Sequence, residues 1–162
     1  MTIPTNREHL DDGSGQGCRV RGLARQVLNE GGTTRQLLVG ESGALCVFNV
    51  AANQTYTLPI IGANDVGMYF DFVVTVTGTG SYSVDTGQTA DKIGGGMMMR
   101  STTPAEDDAF PATIASTVSI DLDTAIKGEQ AGGAFRLTAI ALAQWAVGGY
   151  AVGVGTMATP FA

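Results

Sequence analysis

Side chains that could act as a catalytic base or bind zinc are scarce in this chain. His9 is the only histidine among the 162 residues. A serine or cysteine hydrolase needs a positioned base beside its nucleophile, and the Gly-x-Ser-x-Gly motif that presents a hydrolase serine does not occur. A zinc site needs several histidine or cysteine ligands. The sequence therefore predicts no enzyme, no catalytic residue and no zinc site.

One acidic triplet matches a known catalytic motif. Asp85-Thr86-Gly87 is the triplet that aspartic proteases use, and Ile93–Gly96 is similar to the flap of a retroviral protease. Two such carboxylates would share one proton across a homodimer. The glycines follow the triplet too soon for a hairpin that covers a substrate. Because Asp and Gly also favour turns, we expect Asp85 to end a strand.

Three further motifs have some of the chemistry of a metal or cofactor site. Asp121–Asp123 begins like an EF-hand loop, but Ile126 occupies the sixth position, where that loop requires glycine. Glu106–Asp108 is a charge run of the kind that is usually solvated. Gly153-Val154-Gly155 lacks the third glycine of a dinucleotide fingerprint. We therefore expect no metal and no cofactor.

Two clusters favour contacts with other proteins. Methionine packs adaptably into irregular gaps, so we expect a subunit contact at the triplet Met97, Met98 and Met99. The second cluster lies near the N-terminus and consists of Arg19, Arg21 and Arg25. These arginines favour an anion-binding face, a contact with an acidic protein partner, or simple solubility of the segment.

The elements that must position these side chains are short strands. Met68–Thr77 alternates apolar and polar residues over ten positions, which is typical of a strand with one buried face. Ser81–Asp85 and Thr117–Asp123 alternate in the same way. Leu37–Pro59 has short apolar runs separated by turn residues, the pattern of an antiparallel meander.

The spacing of these strands predicts an all-β fold. About eight to ten strands without helix–strand alternation indicate an antiparallel β-sandwich of the jelly-roll kind. The last pair is Phe135–Ala143 and Trp145–Val154. The apolar stretch 139–155 is short for a membrane span and contains Gln144. We interpret it as two buried strands joined by a glycine turn, and we expect no membrane partner.

Charge divides the chain into two parts. Residues 1–35 carry five basic and four acidic side chains, whereas residues 36–162 carry four basic and eleven acidic ones. We expect an extended or partly helical N-terminal arm over residues 1–35, with Cys18–Glu30 as a short helix or a bulged strand, and a sandwich body over residues 36–162. An acidic body repels phosphate backbones, so no nucleic-acid partner is expected.

One part of the chain resembles a known family. Ser42–Pro59 has a Ser-Gly turn, an apolar strand, an Ala-rich link and a Thr-x-Thr-Leu-Pro strand. Gly67–Val74 adds a Gly-x-x-Phe-x-Phe-x-Val strand, and Trp145 lies in an apolar C-terminal hairpin. This succession resembles the head decoration (capsid cement) proteins of tailed bacteriophages, over residues 34–90 and 134–162.

The resemblance implies a structural virion protein. Such proteins form β-sandwich or jelly-roll homotrimers that sit on the major capsid protein, so it also implies synthesis in the host cytoplasm and a place on the outer capsid surface. On this basis we expect Arg19, Arg21 and Arg25 to contact the capsid. A receptor-binding domain of a tail fibre or spike is the alternative, which exposed aromatic side chains in the 95–115 loops would support. A retropepsin-like protease is a distant third.

Overall fold

Two β-sheets contain nearly all of the regular secondary structure of the described residues. The structure is a computed structural model and describes residues 25–29, 31, 33–106, 108–123 and 125–162. The large sheet contains β1 (Val27–Leu28), β3 (Leu45–Phe48), β5 (Tyr69–Val74), β7 (Lys92–Gly95), β8 (Met98–Ser101), β10 (Gln130–Ala141) and β11 (Gln144–Gly153). The small sheet contains β2 (Thr34–Gln36), β4 (Gln54–Thr57), β6 (Tyr82–Asp85) and β9 (Ser119–Leu122). Two 3-10 turns, Val39–Glu41 and Ala125–Lys127, are the only helical elements of the described residues. The predicted all-β class is confirmed.

The prediction of antiparallel pairing is wrong for the first half of the chain. From β1 to β7 the chain alternates between the sheets, so that β1, β3 and β5 lie side by side in parallel, as do β2, β4 and β6. Parallel strands need a long crossover, which is usually a helix. Here a strand of the opposite sheet serves as the crossover. Leu37–Pro59 is therefore no meander, and the pairing differs from the antiparallel order of a jelly roll.

The second half of the chain contains the antiparallel pairs, although β7 and β8 pair with β11 in parallel. β9 pairs with β6, and β10 lies between β5 and β11 with both neighbours antiparallel. The β10–β11 hairpin confirms the predicted last pair, Phe135–Ala143 and Trp145–Val154. Its turn is at Leu142 and Ala143, where Ala143 has a φ of 56°, whereas Gly148 and Gly149 lie inside β11. The expected glycine turn is therefore wrong.

Aromatic side chains join the two sheets. The ring centroids of Phe48 in the large sheet and Tyr82 in the small sheet are 4.9 Å apart, and those of Tyr56 and Phe72 are 5.8 Å apart. The Tyr56 hydroxyl donates to the carbonyl of Val47 at 2.9 Å, so its polar end is satisfied inside the core. Alternation along β5, as predicted, directs Phe72 inward with its neighbours two residues away.

Part of the predicted arm lies within the sheets. β1 pairs with β3, and Leu28 is buried in the core. The boundary expected after residue 35 falls inside β2, whose Arg35 bonds Glu41. Within Cys18–Glu30, residues 25–29 are not helical and include β1. The rest of that segment lies outside the described residues.

Candidate binding surface

The outer face of the large sheet carries an apolar row across five strands. Strand register places Val47, Val73, Ala134, Tyr150 and Met98 side by side on neighbouring strands. Tyr150 is 44% exposed and Met98 is 49% exposed. Val47 is buried, and Val73 and Ala134 are partly exposed. An exposed apolar pair that continues into covered apolar side chains on the same face favours a contact surface over scattered surface residues. We call this set the apolar row.

A charged row lies directly beside the apolar row. Asp71 in β5 faces Arg136 in β10. The Arg136 guanidinium donates from Nε to Asp71 Oδ1 at 2.6 Å and from Nη2 to Oδ2 at 2.7 Å, a bidentate pair. Arg25 reaches the same carboxylate and also donates to the carbonyls of Gly43 and Ala44 at 2.6 and 2.9 Å.

These arginines fix the charge of Asp71. Hydrogen bonds from Arg136, and then from Arg25, hold the pKa of the Asp71 carboxyl below its ordinary value of 3.8 and outweigh the opposing effect of partial burial. The Arg136 guanidinium also lies over the ring of Tyr69, with Cζ 4.4 Å from the centroid. Arg136 is thereby held in one orientation although its side chain is 54% exposed.

A groove of about 520 Å³ lies between the two rows, over Gly148. The apolar wall is formed by Val73, Ala134 and Tyr150, and the charged wall by Asp71 and Arg136. The neighbouring strand is interrupted at this point, since β7 ends opposite Val147 and β8 begins opposite Tyr150. The lack of a side chain at Gly148 therefore leaves a depression in an otherwise continuous face.

The structure separates the three methionines of the predicted subunit contact. Met97 and Met99 are fully buried in the core. A side chain without exposed surface cannot touch a second subunit, so for these two residues the expectation is corrected. Alternation along β8 directs Met98 outward instead, into the apolar row. Only Met98 is placed for such a contact.

The structure describes one of the three arginines predicted to contact the capsid. Arg19 and Arg21 lie outside the described residues. Arg25 lies at the rim of the groove and bonds Asp71. A partner that reaches Arg25 therefore also meets the carboxylate that neutralises it.

Asp85 ends β6, as the turn interpretation of its triplet predicts. Burial, and then the charge of Asp121 on the neighbouring strand, raise the pKa of the Asp85 carboxyl. The Gly-rich segment compared with a protease flap forms β7 instead, where Ile93 is buried in the core and pairs with Trp145. A core strand cannot open and close over a substrate, so the flap is absent from that position.

The remaining acidic motifs hold ordinary surface contacts. Asp123 pairs with Lys127 four residues later, at 3.0 Å. Asp108 accepts a hydrogen bond from the backbone of Ser101. Over the described ranges, no cluster of three or more His, Cys, Asp or Glu side chains has the arrangement of a metal site.

Two side chains have exposures that bear on function. Phe110, in the 95–115 loops, is 69% exposed. Cys46 is buried, and this burial is the main cause that raises the pKa of its thiol from 9.0 to about 12.

Where the structure describes the backbone, no helix has the length and apolarity to cross a membrane.

The sequence pattern predicted that Asp71 faces outward but not what binds it. Its partner Arg136 lies 65 residues further along the chain, and Gly148 and Tyr150 carry no local signal. A lone carboxylate inside an apolar strand was the only indication of a charged contact at this place.

Comparison with protein families, with curated proteins and with solved structures finds no match for this chain. The resemblance to phage decoration proteins therefore stays a prediction, based on the residues quoted for it.

Proposed function

We propose that this chain is a structural virion protein that binds the outside of an assembled phage capsid as a homotrimer. The outer face of the large sheet supports this proposal. It combines the apolar row with the exposed arginines Arg136 and Arg100. Tyr, Met and Arg are the residues that protein interfaces favour.

The distribution of charge supports a protein partner. Asp71 is the only acidic residue in the described strands of the large sheet, which also contain Lys92, Arg100 and Arg136. The chain as a whole has a net charge of −6. Three of the nine basic residues of the chain thus lie in the sheet that carries the apolar row. Such a face fits a partner surface that is apolar at its centre and acidic at its rim.

Sedimentation with capsids tests the proposal. The full chain is mixed with mature capsids of the phage that encodes it, and in parallel with unassembled major capsid protein. We expect the chain to pellet with capsids and to leave the free coat subunits in solution. Light scattering is expected to give three times the chain mass of 16.7 kDa. A monomer that stays in the supernatant would contradict the proposal.

A receptor-binding role in a tail fibre or spike is the second candidate, and Phe110 favours it. Exposed aromatic rings are common platforms for apolar and sugar faces, and this ring is among the most exposed large apolar side chains described. Glycan-array binding by the full chain that is lost in Phe110→Ala would support this role. Unchanged binding in that variant, or none by either protein, would exclude Phe110 as the platform.

A further inference from the structure

The groove over Gly148 is shaped to accept one apolar side chain. A Cβ atom built on Gly148 would meet nothing within 4 Å, so the space above it is open. Val73 and Ala134 lie on one side and the exposed ring of Tyr150 lies beside them. An aliphatic or aromatic group placed there would bury apolar surface against these three side chains, which is the main source of affinity at a contact centre.

The charged wall of the same groove selects for a carboxylate. Arg136 uses Nε and Nη2 on Asp71, but its side chain remains more than half exposed at the groove. Arg25 shares the carboxylate of Asp71, so two positive groups face one negative group. An anionic ligand group is attracted to this wall and a cationic one is repelled.

We propose that this groove binds an extended acidic segment of a partner protein, with one apolar side chain over Gly148 and an adjacent carboxylate on Arg136. The inference rests on the proposed function in so far as it takes the partner to be a protein surface. A nucleic acid would satisfy the arginines but would leave the apolar row in contact with phosphate and sugar. The apolar row therefore favours an acidic protein segment.

Titration of the full-length, isotope-labelled chain with short peptides tests this binding mode by nuclear magnetic resonance. The probe is a capped pentapeptide with phenylalanine between two pairs of aspartates. In one control peptide lysines replace the aspartates, in another serine replaces the phenylalanine, and a single-stranded oligonucleotide is the third control. We expect the acidic phenylalanine peptide alone to shift the backbone resonances of residues 134–136 and 148–150.

Two variants and a matched control locate the contact. Gly148→Leu fills the groove, and Arg136→Gln removes the positive group while Arg25 still bonds Asp71. Each is expected to weaken peptide binding by at least about fivefold, the loss that corresponds to roughly 1 kcal/mol at an interface hot spot. Gly40→Leu adds the same side chain where a Cβ also meets nothing within 4 Å, and it lies outside the groove. It is expected to bind like the unchanged protein.

Several results would overturn the inference. The first is a set of resonance shifts with the lysine peptide or the oligonucleotide as large as those with the acidic phenylalanine peptide. The second is an affinity for the acidic phenylalanine peptide that is unchanged in both single variants, Gly148→Leu and Arg136→Gln. The proposed function fails separately. A chain that binds the acidic peptide but does not sediment with capsids would support the groove as a peptide site and contradict the virion role. Capsid binding that is unchanged in both variants would support the virion role and show that the groove is not the capsid contact.

Discussion

At the scale of single residues, identical side chains in this protein have opposite roles. Three consecutive methionines lie at an edge of the large sheet. Met97 and Met99 are buried, whereas Met98 between them is about half exposed. The identity of the residue therefore says little about its role. The direction in which its Cβ points decides whether it packs in the core or faces solvent.

Met99→Ala and Met98→Ala form a matched pair that measures this difference. Met99 is fully buried, so its truncation leaves a cavity and is expected to lower the free energy of unfolding by about 2–5 kcal/mol. Met98 is about half exposed, so its truncation removes less buried surface, and we expect a loss of no more than about 1 kcal/mol. Urea unfolding followed by circular dichroism gives both values. Similar losses in the two variants would contradict the burial of Met99.

Cys46 provides a second test at the residue scale. Because burial raises its thiol pKa to about 12 and the thiolate is the reactive form, we expect no reaction with a thiol reagent at pH 8. The measurement uses Cys18→Ser, which leaves Cys46 as the one cysteine of the chain. Full reaction is expected in concentrated urea. Rapid reaction of the folded variant would show that the site opens to solvent.

At the scale of elements, the contact between β5 and β10 is reinforced on both faces. The inner face packs Phe72 against Phe135, with centroids 5.1 Å apart. The outer face holds Asp71 between Arg136 and Arg25. This three-residue cluster ties the segment before β1 to the middle of the large sheet, so one carboxylate links elements that are distant in sequence.

The contribution of Asp71 is expected to depend on pH. Its pKa in the folded protein lies below the ordinary value of 3.8, so the folded state favours the ionised form. The stabilisation is therefore complete above that value and is lost as the pH falls through the lower, folded-state pKa. Asp71→Asn is expected to cost on the order of 1 kcal/mol at pH 7 and progressively less in acid.

Unfolding in urea between pH 7 and pH 2.5 checks this dependence. Arg136→Gln and the double variant complete a cycle that isolates the coupling between the two side chains. A gap between the unchanged protein and Asp71→Asn that stays constant down to pH 2.5 would show that the charge of Asp71 is not what the arginines stabilise.

At the scale of the whole molecule, the two sheets are interwoven by the chain itself. Because consecutive strands up to β7 belong to different sheets, neither sheet can form completely without the other. The described start of the chain takes part, since β1 is an edge strand of the large sheet. The sheets therefore include β1 and β2, which the predicted boundary after residue 35 had assigned to the arm.

Two truncations test whether residues 1–24 contribute to capsid binding and whether residues 25–29 stabilise the fold. Removal of residues 1–24 keeps Arg25 and β1 but deletes Arg19 and Arg21, and we expect it to preserve the thermal unfolding midpoint while weakening sedimentation with capsids. Removal of residues 1–29 also deletes β1 and buried Leu28, and is expected to cost at least about 2 kcal/mol of stability. If the chain that lacks residues 1–24 binds capsids as well as the full chain does, residues 1–24 do not contribute to the capsid contact.

The sequence by itself determined the strands that alternate clearly and which side of each of them is buried. It did not predict β7 and β8 as strands. The Phe70–Val74 alternation and the Tyr82–Val84 pair required only local information, because the period of two belongs to the strand itself. The buried and exposed sides of Met68–Thr77 follow from the same period.

Only the tertiary structure decided which strands are neighbours and in which direction they run. Turn residues mark where a strand ends, but not whether the chain then returns to the same sheet or crosses to the opposite one. That choice depends on packing between distant residues, such as Phe48 against Tyr82. For the same reason the partner of Asp71 and the groove over Gly148 emerged only once β5, β10 and β11 lay side by side.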